Sequence, residues 1–218
     1  MITVLLDKAE FEYDIHSLVK AFYPKEEVYV STKDKEKKEE PVHYHMDVQF
    51  APEEIIFSWK RVEASEDNAN QTGITKCVAV DYTNRKETKN SLKRTLYRLL
   101  SEYTGVELPW GNLTGIRPTK IPMALLEEGK SEEEIARYMK ETYFTSDEKI
   151  KLSIEIAERE LELLHKLDYE EGYSLYIGIP FCPTTCLYCS FTSYSMSAWK
   201  NRMDDYLSLI HISEPTRH

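Results

Sequence analysis

Short segments with a hydrophobic period of two dominate the first 80 residues. "VHYHMDVQF" places the apolar residues from Val42 to Phe50 on one face, and "EEIIFSWKRV" follows it after Ala51-Pro52, which predicts a β-hairpin. "MITVLL", "EVYVS" and "ITKCVAVDY" predict three further strands. Phe11, Ile15, Leu18 and Phe22 recur at helical spacing and predict a helix that ends before Pro24. These strands and helices do not alternate regularly as βαβ units, so the pattern predicts an α+β fold.

The pattern turns helical from Asn84 onward. Leu92, Leu96, Leu99 and Tyr103 form one apolar stripe, which predicts a helix with one buried face. Ser131 with Glu134 and Thr145 with Glu148 predict capping boxes at the starts of two later helices. Polar segments at 32–41 and 65–73 predict loops. We therefore predict an α+β accessory domain over residues 1–170, with a helical second half.

Composition narrows the class of protein. The 218 residues are 41% hydrophobic, which is enough for a packed core, and the net charge of −10 disfavours a protein that coats nucleic acid. No apolar segment has the length of a membrane span, and "MITVLLDKAE" lacks the features of a signal peptide. We therefore expect no membrane partner and a cytoplasmic location, in which thiols stay reduced.

Three of the four cysteines are clustered in "YIGIPFCPTTCLYCSFTSY". Cys182, Cys186 and Cys189 have the spacing C-x3-C-x2-C, which in a reducing compartment indicates metal or redox chemistry. Three thiolates on a tight loop can bind three irons of a [4Fe-4S] cluster and leave the fourth iron open for a small ligand. A zinc site would require a fourth ligand or water, and this spacing is unusual for zinc.

The spacing, directly after a segment that ends in Ile-Pro-Phe, resembles the radical S-adenosylmethionine superfamily. "Y-x-G-I-P-F-C-x3-C-x-Y-C" resembles the oxygen-independent coproporphyrinogen III oxidases, and "PTTCLYCSFTSY" together with "LPWGNLTGIRPTK" is similar to the HemZ branch of that family. The resemblance covers most of residues 1–206. It implies that residues 173–206 form the first strand, loop and helix of a truncated radical S-adenosylmethionine (β/α) barrel.

The resemblance also implies roles for individual residues. Cys182, Cys186 and Cys189 would be the metal ligands of the [4Fe-4S] cluster. Tyr176 and Tyr188 would contact S-adenosyl-L-methionine, the former the cluster-bound molecule and the latter a second one. The sequence departs from the best-known branch at two positions, because Gly178 stands in place of a histidine and Phe191 in place of a further cysteine.

The implied reaction is the oxidative decarboxylation of two propionates of coproporphyrinogen III to give protoporphyrinogen IX. The implied partners are this tetrapyrrole substrate and an electron donor such as flavodoxin or ferredoxin. Two other functions stay open: a haem chaperone from a related branch, and an enzyme that modifies tRNA. In an enzyme that modifies tRNA, the basic helix after Asn84 would contact the RNA.

The C-terminal segment predicts a fragment. Fewer than fifty residues follow Gly172, whereas a radical S-adenosylmethionine barrel requires several more strand-helix units, so we expect the chain itself to be inactive. "LSLIHISEPTRH" is identified through Arg217 as the translation of a transposase sequencing adapter. This match predicts a non-native tail at 207–218, against the alternative of an ordinary helix end.

Four other features are candidates for function. His43, His45 and Asp47 share one face of a predicted strand and could bind a metal, although a solvated face is the simpler interpretation. Cys77 lies among Val78, Ala79 and Val80 and is predicted to be a buried, inert thiol. Arg117 and Lys120 flank a helix start, where they could bind an anion or simply end a loop. The last feature is the basic helix, whose cations could contact substrate carboxylates or RNA phosphates or could simply form a solvated face. These cations are Arg85, Lys86, Lys89, Lys93, Arg94 and Arg98.

Overall fold

The computed structural model describes residues 1–32, 42–62, 73–167, 171–173 and 175–213, with side chains as far as Leu209. The chain divides into two compact units, Met1–Leu167 and Asp168–His218. Most of the two predicted polar loops lies outside the described residues. The first unit contains β1 (Ile2–Leu6), α1 (Glu12–Phe22), β2 (Val28–Thr32), β3 (Tyr44–Phe50), β4 (Glu54–Arg61), β5 (Ile74–Ala79), α2 (Arg85–Thr104), α3 (Lys120–Glu127), α4 (Glu132–Tyr143) and α5 (Asp147–Leu164).

The sheet of the first unit has the strand order β2-β1-β3-β4-β5. β1 pairs in parallel with both β2 and β3, whereas β3-β4 and β4-β5 are antiparallel. The α+β class and the hairpin after Ala51-Pro52 are thus confirmed. The parallel β1-α1-β2 unit was not predicted, because a hydrophobic pattern identifies the faces of a strand but not its neighbours.

The core lies between one face of this sheet and the helices α1 and α2. Met46, Val48 and Phe50 of β3 are buried, as the period of two predicted. They join Leu92, Leu96 and Leu99 of α2 and the apolar face of α1 in a single hydrophobic cluster. An aromatic group at one end of this core stacks Tyr44 on Trp59, with ring centroids 5.3 Å apart.

Cys77 is exposed, so the prediction of a buried thiol was wrong. β5 lies at the edge of the sheet, where alternate residues are half-buried and exposed. Val78 packs against the core, and Cys77 therefore points to the opposite face. A short apolar run does not reveal whether both faces of a strand are covered, which is the cause of the error.

Two capping boxes were predicted at helix starts in the second half of this unit, and the structure contains one of them. The capping box of Ser131 and Glu134 is present at the start of α4. At α5 the cap is Ser146, whose hydroxyl accepts a hydrogen bond from the Lys149 amide, and not Thr145. Phe144 ends α4 in a left-handed conformation (φ 57°), which shifts the start of α5 by one residue. The Thr145 hydroxyl is buried and has no hydrogen-bond partner among the described residues.

The two hydroxyls should therefore differ in their effect on stability. We expect Ser146→Ala to lower the free energy of unfolding by about 1 kcal/mol, because it removes a helix cap. Thr145→Val should raise it by up to about 1 kcal/mol, because it replaces an unsatisfied buried hydroxyl with a methyl group. Urea unfolding of the two variants measures both values, and a loss of stability in Thr145→Val would contradict the assignment of the cap to Ser146.

The second unit contains little regular structure before its helices. It comprises β6 (Phe181–Cys182), β7 (Tyr194–Ser195), α6 (Met196–Trp199), a 3-10 turn (Lys200–Arg202) and α7 (Met203–Ser213). The predicted strand over "LYIGIPF" does not form before Phe181, because the only strand that pairs with it among the described residues is the two-residue β7. The apolar side chains of Leu175, Ile177 and Ile179 are exposed. The truncated barrel and the predicted division into 1–170, 173–206 and 207–218 therefore stay predictions.

α7 continues from Met203 across the start of the predicted non-native tail. Residues 214–218 and the side chains from residue 210 onward lie outside the described part, so the origin of the tail is not tested. Across the described ranges of both units, no helix is long and apolar enough to cross a membrane.

Candidate functional site

The candidate site is the thiol loop, which we define as residues 182–189 of the second unit. Cys182 ends β6, and the following Pro183 favours the extended backbone that the strand requires. The Cys189 amide donates a hydrogen bond to the Cys186 carbonyl (3.0 Å), so the last two cysteines flank one tight turn. All three thiols are free: Cys186 is exposed and the other two are half-buried.

Four aromatic residues support the thiol loop, and we call them its aromatic base: Phe181, Tyr194, Trp199 and Tyr206. β6 and β7 pair in parallel, and the Tyr194 amide donates to the Pro180 carbonyl (2.7 Å). The Phe181 ring meets the Tyr206 ring edge-on, with centroids 5.4 Å apart, and Tyr194 packs against Trp199. Sequence reasoning did not identify this support, because the four residues are far apart in the chain and form no motif.

The chemistry of the donor set fits an iron–sulfur cluster. Thiolates are the usual protein ligands of such clusters, and three unpaired thiols lie on one loop without a disulfide. The structure does not bring the three sulfurs together: among the described residues, no three His, Cys, Asp or Glu side chains form a group that could bind a metal. The roles of Cys182, Cys186 and Cys189 as ligands are thus neither confirmed nor contradicted.

The two tyrosines with predicted cofactor roles are both exposed, Tyr176 at 82% and Tyr188 at 90%. Tyr188 lies within the thiol loop, between Cys186 and Cys189. Tyr176 lies beside Gly178, where an added Cβ would be 3.1 Å from the tyrosine ring. The Gly178 carbonyl accepts a hydrogen bond from the Tyr206 hydroxyl (2.7 Å). Gly178 therefore lies between Tyr176 and the aromatic base of the thiol loop.

Histidines on and beside the polar face of β3 contact carboxylates of the first unit. His45 Nε2 lies 3.2 Å from Asp47 Oδ2, and His43 Nδ1 lies 3.1 Å from Glu26 Oε2. These contacts favour the interpretation of a polar face over that of a metal site.

Most cations of the basic helix α2 have partners within the first unit. Lys89 pairs with Asp14 (2.8 Å) and Arg94 with Glu87 (2.6 Å). Arg85 lies over the ring of Phe11, and Arg98 over that of Phe144. Arg117, the candidate anion ligand near α3, pairs with Glu160 (3.1 Å). The helix is thus neither a simple solvated face nor an open cationic surface.

Lys93 differs from the other cations because its side chain is buried. The residue is 7% exposed, and Nζ donates a hydrogen bond to Thr114 Oγ1 (3.0 Å). Burial lowers the pKa of the ammonium to about 8, although the negative charge of Asp14 opposes the change. Sequence reasoning grouped Lys93 with the exposed cations, but its spacing to Leu96 (i+3) and Leu100 (i+7) indicates the buried face.

The pKa of Lys93 predicts a specific dependence of stability on pH. Between the folded value of about 8 and the unfolded value near 10.5, the unfolded chain binds more protons, so stability rises with pH. We expect the wild type to gain about 2 kcal/mol relative to Lys93→Met between about pH 7 and pH 9.5. Urea unfolding at both pH values measures this difference. Parallel pH profiles of the two proteins would show that the Lys93 pKa is unshifted.

Comparison with known proteins identifies one informative relative. The chain is 39% identical over 141 residues to the oxygen-independent coproporphyrinogen-III oxidase-like protein HemZ of Bacillus subtilis, a match that covers 63% of this chain and 28% of HemZ. No family model matches. A solved structure, protein VC0702 from Vibrio cholerae, aligns with 49% of this chain and 75% of its own at 8% identity and a TM-score of 0.20, which is too low to support any inference.

The chain therefore spans just over a quarter of the length of HemZ. At 39% identity the match is far above the level at which unrelated sequences align, and it agrees with the branch that the cysteine motif and "LPWGNLTGIRPTK" resemble. The predicted resemblance to HemZ is confirmed, and over the matched residues the chain is a relative of this oxidase-like protein.

Proposed function

We propose that this chain supplies the cluster-binding loop of a radical S-adenosylmethionine enzyme of haem biosynthesis that acts on coproporphyrinogen III. The observation that carries the proposal is the set of three free thiols on one loop, in a relative of a coproporphyrinogen-III oxidase-like protein. Cys182, Cys186 and Cys189 would bind a [4Fe-4S] cluster. When bound with S-adenosylmethionine, this cluster supplies one-electron chemistry that a protein side chain cannot provide.

The residues of the chain would act by binding and orientation. Cys182 lies at the end of β6, and one turn joins Cys186 to Cys189, so cluster binding would bring this turn and Cys182 together. Tyr188 would be carried with the loop and placed next to the cofactor. The aromatic base formed by Phe181, Tyr194, Trp199 and Tyr206 would keep the two ends of the loop in position while it closes.

A function in tRNA modification is less well supported. Its predicted RNA contact was the basic helix, but Lys89 and Arg94 are paired with carboxylates and Lys93 is buried. Nonspecific RNA binding depends on cations that are free to neutralise phosphates. The internal pairing of α2 thus favours the tetrapyrrole substrate over RNA.

The cluster is tested by anaerobic reconstitution of the 218-residue chain with iron and sulfide. We expect about four irons and four sulfides per chain and the broad visible absorbance of a cubane cluster. A reconstituted chain that retains less than about one iron would contradict the proposal. Addition of S-adenosylmethionine to the reduced protein should change its electron paramagnetic resonance spectrum, because an iron without a cysteine ligand would be free to bind the cofactor.

The substrate requires a separate test. Residues 1–206 are fused to the part of HemZ that this chain does not cover, and the chimera is assayed without oxygen for protoporphyrinogen IX formation from coproporphyrinogen III. Conversion supports the substrate. Cleavage of S-adenosylmethionine without conversion would show that the substrate is wrong, and tight binding of haem by the same chimera would then favour the chaperone function.

A further inference from the structure

A small cleft in the first unit lies beside the buried Lys93, away from the thiol loop in sequence. It has a volume of about 270 Å³ and is bounded by α1, α2 and the segment that follows α2. That segment contains "WGNLTG", part of the stretch that the proposed cluster chemistry does not use. The charged and polar side chains and the glycine that line the cleft include Asp14, Lys89, Lys93, Asn112, Thr114 and Gly115.

The charges of the cleft do not cancel. Asp14 pairs with Lys89 at 2.8 Å and its charge also acts on Lys93, so one carboxylate faces two ammonium groups. The Lys93 ammonium has three N–H donors, and among the described residues one of them has a partner, the Thr114 hydroxyl. Lys93 as a residue is 7% exposed, and an ammonium in such surroundings is costly to desolvate unless an opposite charge or further hydrogen bonds accompany it. The cleft therefore lacks one negative charge.

The far wall of the cleft offers backbone donors. The amide N–H groups of Thr114 and Gly115 donate no hydrogen bond to another described residue. An added Cβ at Gly115 would meet no atom within 4 Å, so the space beside this backbone is open. Asn112, which is buried, fixes the segment through a hydrogen bond from its side-chain amide to the Thr142 carbonyl (3.2 Å). A buried cation and backbone amides without a partner among the described residues, all belonging to residues that line one cleft, are groups that can bind anions.

We propose that this cleft binds the phosphate or carboxylate group of a small molecule, with the Lys93 ammonium as its counter-ion. The volume of about 270 Å³ is just below the usual range of ligand sites, so it fits a single anionic group and not a complete nucleotide. The lowered pKa of Lys93 is consistent with a cation whose partner is supplied by a ligand. This inference concerns the first unit alone and is independent of the proposed cluster.

The test measures stabilisation of the 218-residue chain by anions. Inorganic phosphate and malonate are titrated separately near neutral pH, and sodium chloride keeps the ionic strength constant. We expect at least one of them to raise Tm saturably, by ~3–6 °C at a tenfold excess over Kd. Saturation by phosphate alone, by malonate alone or by both identifies which group the cleft accepts. Failure of both to stabilise the chain would overturn the proposal.

The variants separate the cleft from nonspecific binding. Lys93→Met should abolish the rise in Tm, whereas Lys86→Met, which removes the same charge from an exposed position of α2, should retain it. An equal loss in both variants would overturn the proposal. If Lys93→Met does not fold, Thr114→Val provides the comparison: it keeps the cation but removes its partner, and should change the Kd for the anion by about tenfold. An unchanged Kd in Thr114→Val would then count against the site.

Discussion

Replacement of Gly111 with alanine should destabilise the first unit by more than about 4 kcal/mol. Gly111 has a φ of 56°, and a Cβ at this position would overlap the Tyr143 carbonyl oxygen and lie 2.6 Å from the Phe144 carbonyl carbon. Both obstacles are backbone atoms, so no side-chain rotation can relieve the overlap. The segment would have to separate from the end of α4 and lose the hydrogen bond from the Asn112 amide to the Tyr143 carbonyl (2.8 Å).

Gly105→Ala is the matched control for this prediction. Gly105 has a similar φ of 68° at the end of α2, but an added Cβ there would meet no atom within 4 Å. It should cost only the strain of the left-handed conformation, about 1–2 kcal/mol. Urea unfolding measures the free energy of unfolding of both variants, and the difference isolates the effect of the close approach between Gly111 and the backbone at the end of α4. Equal losses would mean that the backbone at Gly111 moves freely and that the segment is not clamped against α4.

The strands were predictable because each has one buried face, but their arrangement was not. The alternation from Tyr44 to Phe50 marks the core face of β3 without reference to any other segment. That β1 lies between β2 and β3, in parallel with both, depends on how α1 crosses the sheet. Adjacent strands in the chain usually pair as hairpins when their connection is short, and only the spatial path of α1 distinguishes the parallel case.

Burial of single residues was the least predictable property. Cys77 and Lys93 were assigned from their immediate neighbours in sequence, as an apolar run and a basic run, and both are on the opposite side from the one expected. The exposure of Cys77 depends on the edge location of β5, which is not a local property. Lys93 shares the face of Leu96 and Leu100, but its charge favoured an exposed position, and its partner Thr114 is distant in sequence. Similarly, the shift of the α5 cap to Ser146 follows from the left-handed Phe144, which no local pattern indicated.

The thiol loop, in contrast, could be predicted from the sequence, because the spacing of its cysteines alone identifies it. Three cysteines within eight positions identify a candidate metal ligand set whatever the surrounding fold. The aromatic base was missed because Phe181, Tyr194 and Tyr206 come together only through β6, β7 and α7. Candidate ligands can thus be identified from residue type and spacing in the sequence. The residues that support them cannot, because their contacts form only in the folded structure.

Cys186→Ala should abolish cluster assembly on the reconstituted chain. If all three thiolates are ligands, the loss of one leaves the cubane with two protein bonds, and such a cluster loses iron or falls apart. We expect iron to fall below about one atom per chain and the broad visible absorbance to disappear. Cys182→Ala and Cys189→Ala should have effects of similar size, because each would remove one of three equivalent bonds.

Cys77→Ala is the matched control, because Cys77 is also an exposed free thiol but lies in the first unit. It should retain the full iron content, whereas iron bound adventitiously by exposed thiols would decrease similarly in both variants. Tyr188→Ala should also retain the iron but weaken the response to S-adenosylmethionine, because its proposed role is contact with a cofactor and not ligation. Full iron and unaltered absorbance in Cys186→Ala would rule out the cluster assignment and leave the thiol loop without a metal. Loss of iron in Cys186→Ala alone among these three variants would show that the spacing of the cysteines, and not their exposure, selects the cluster.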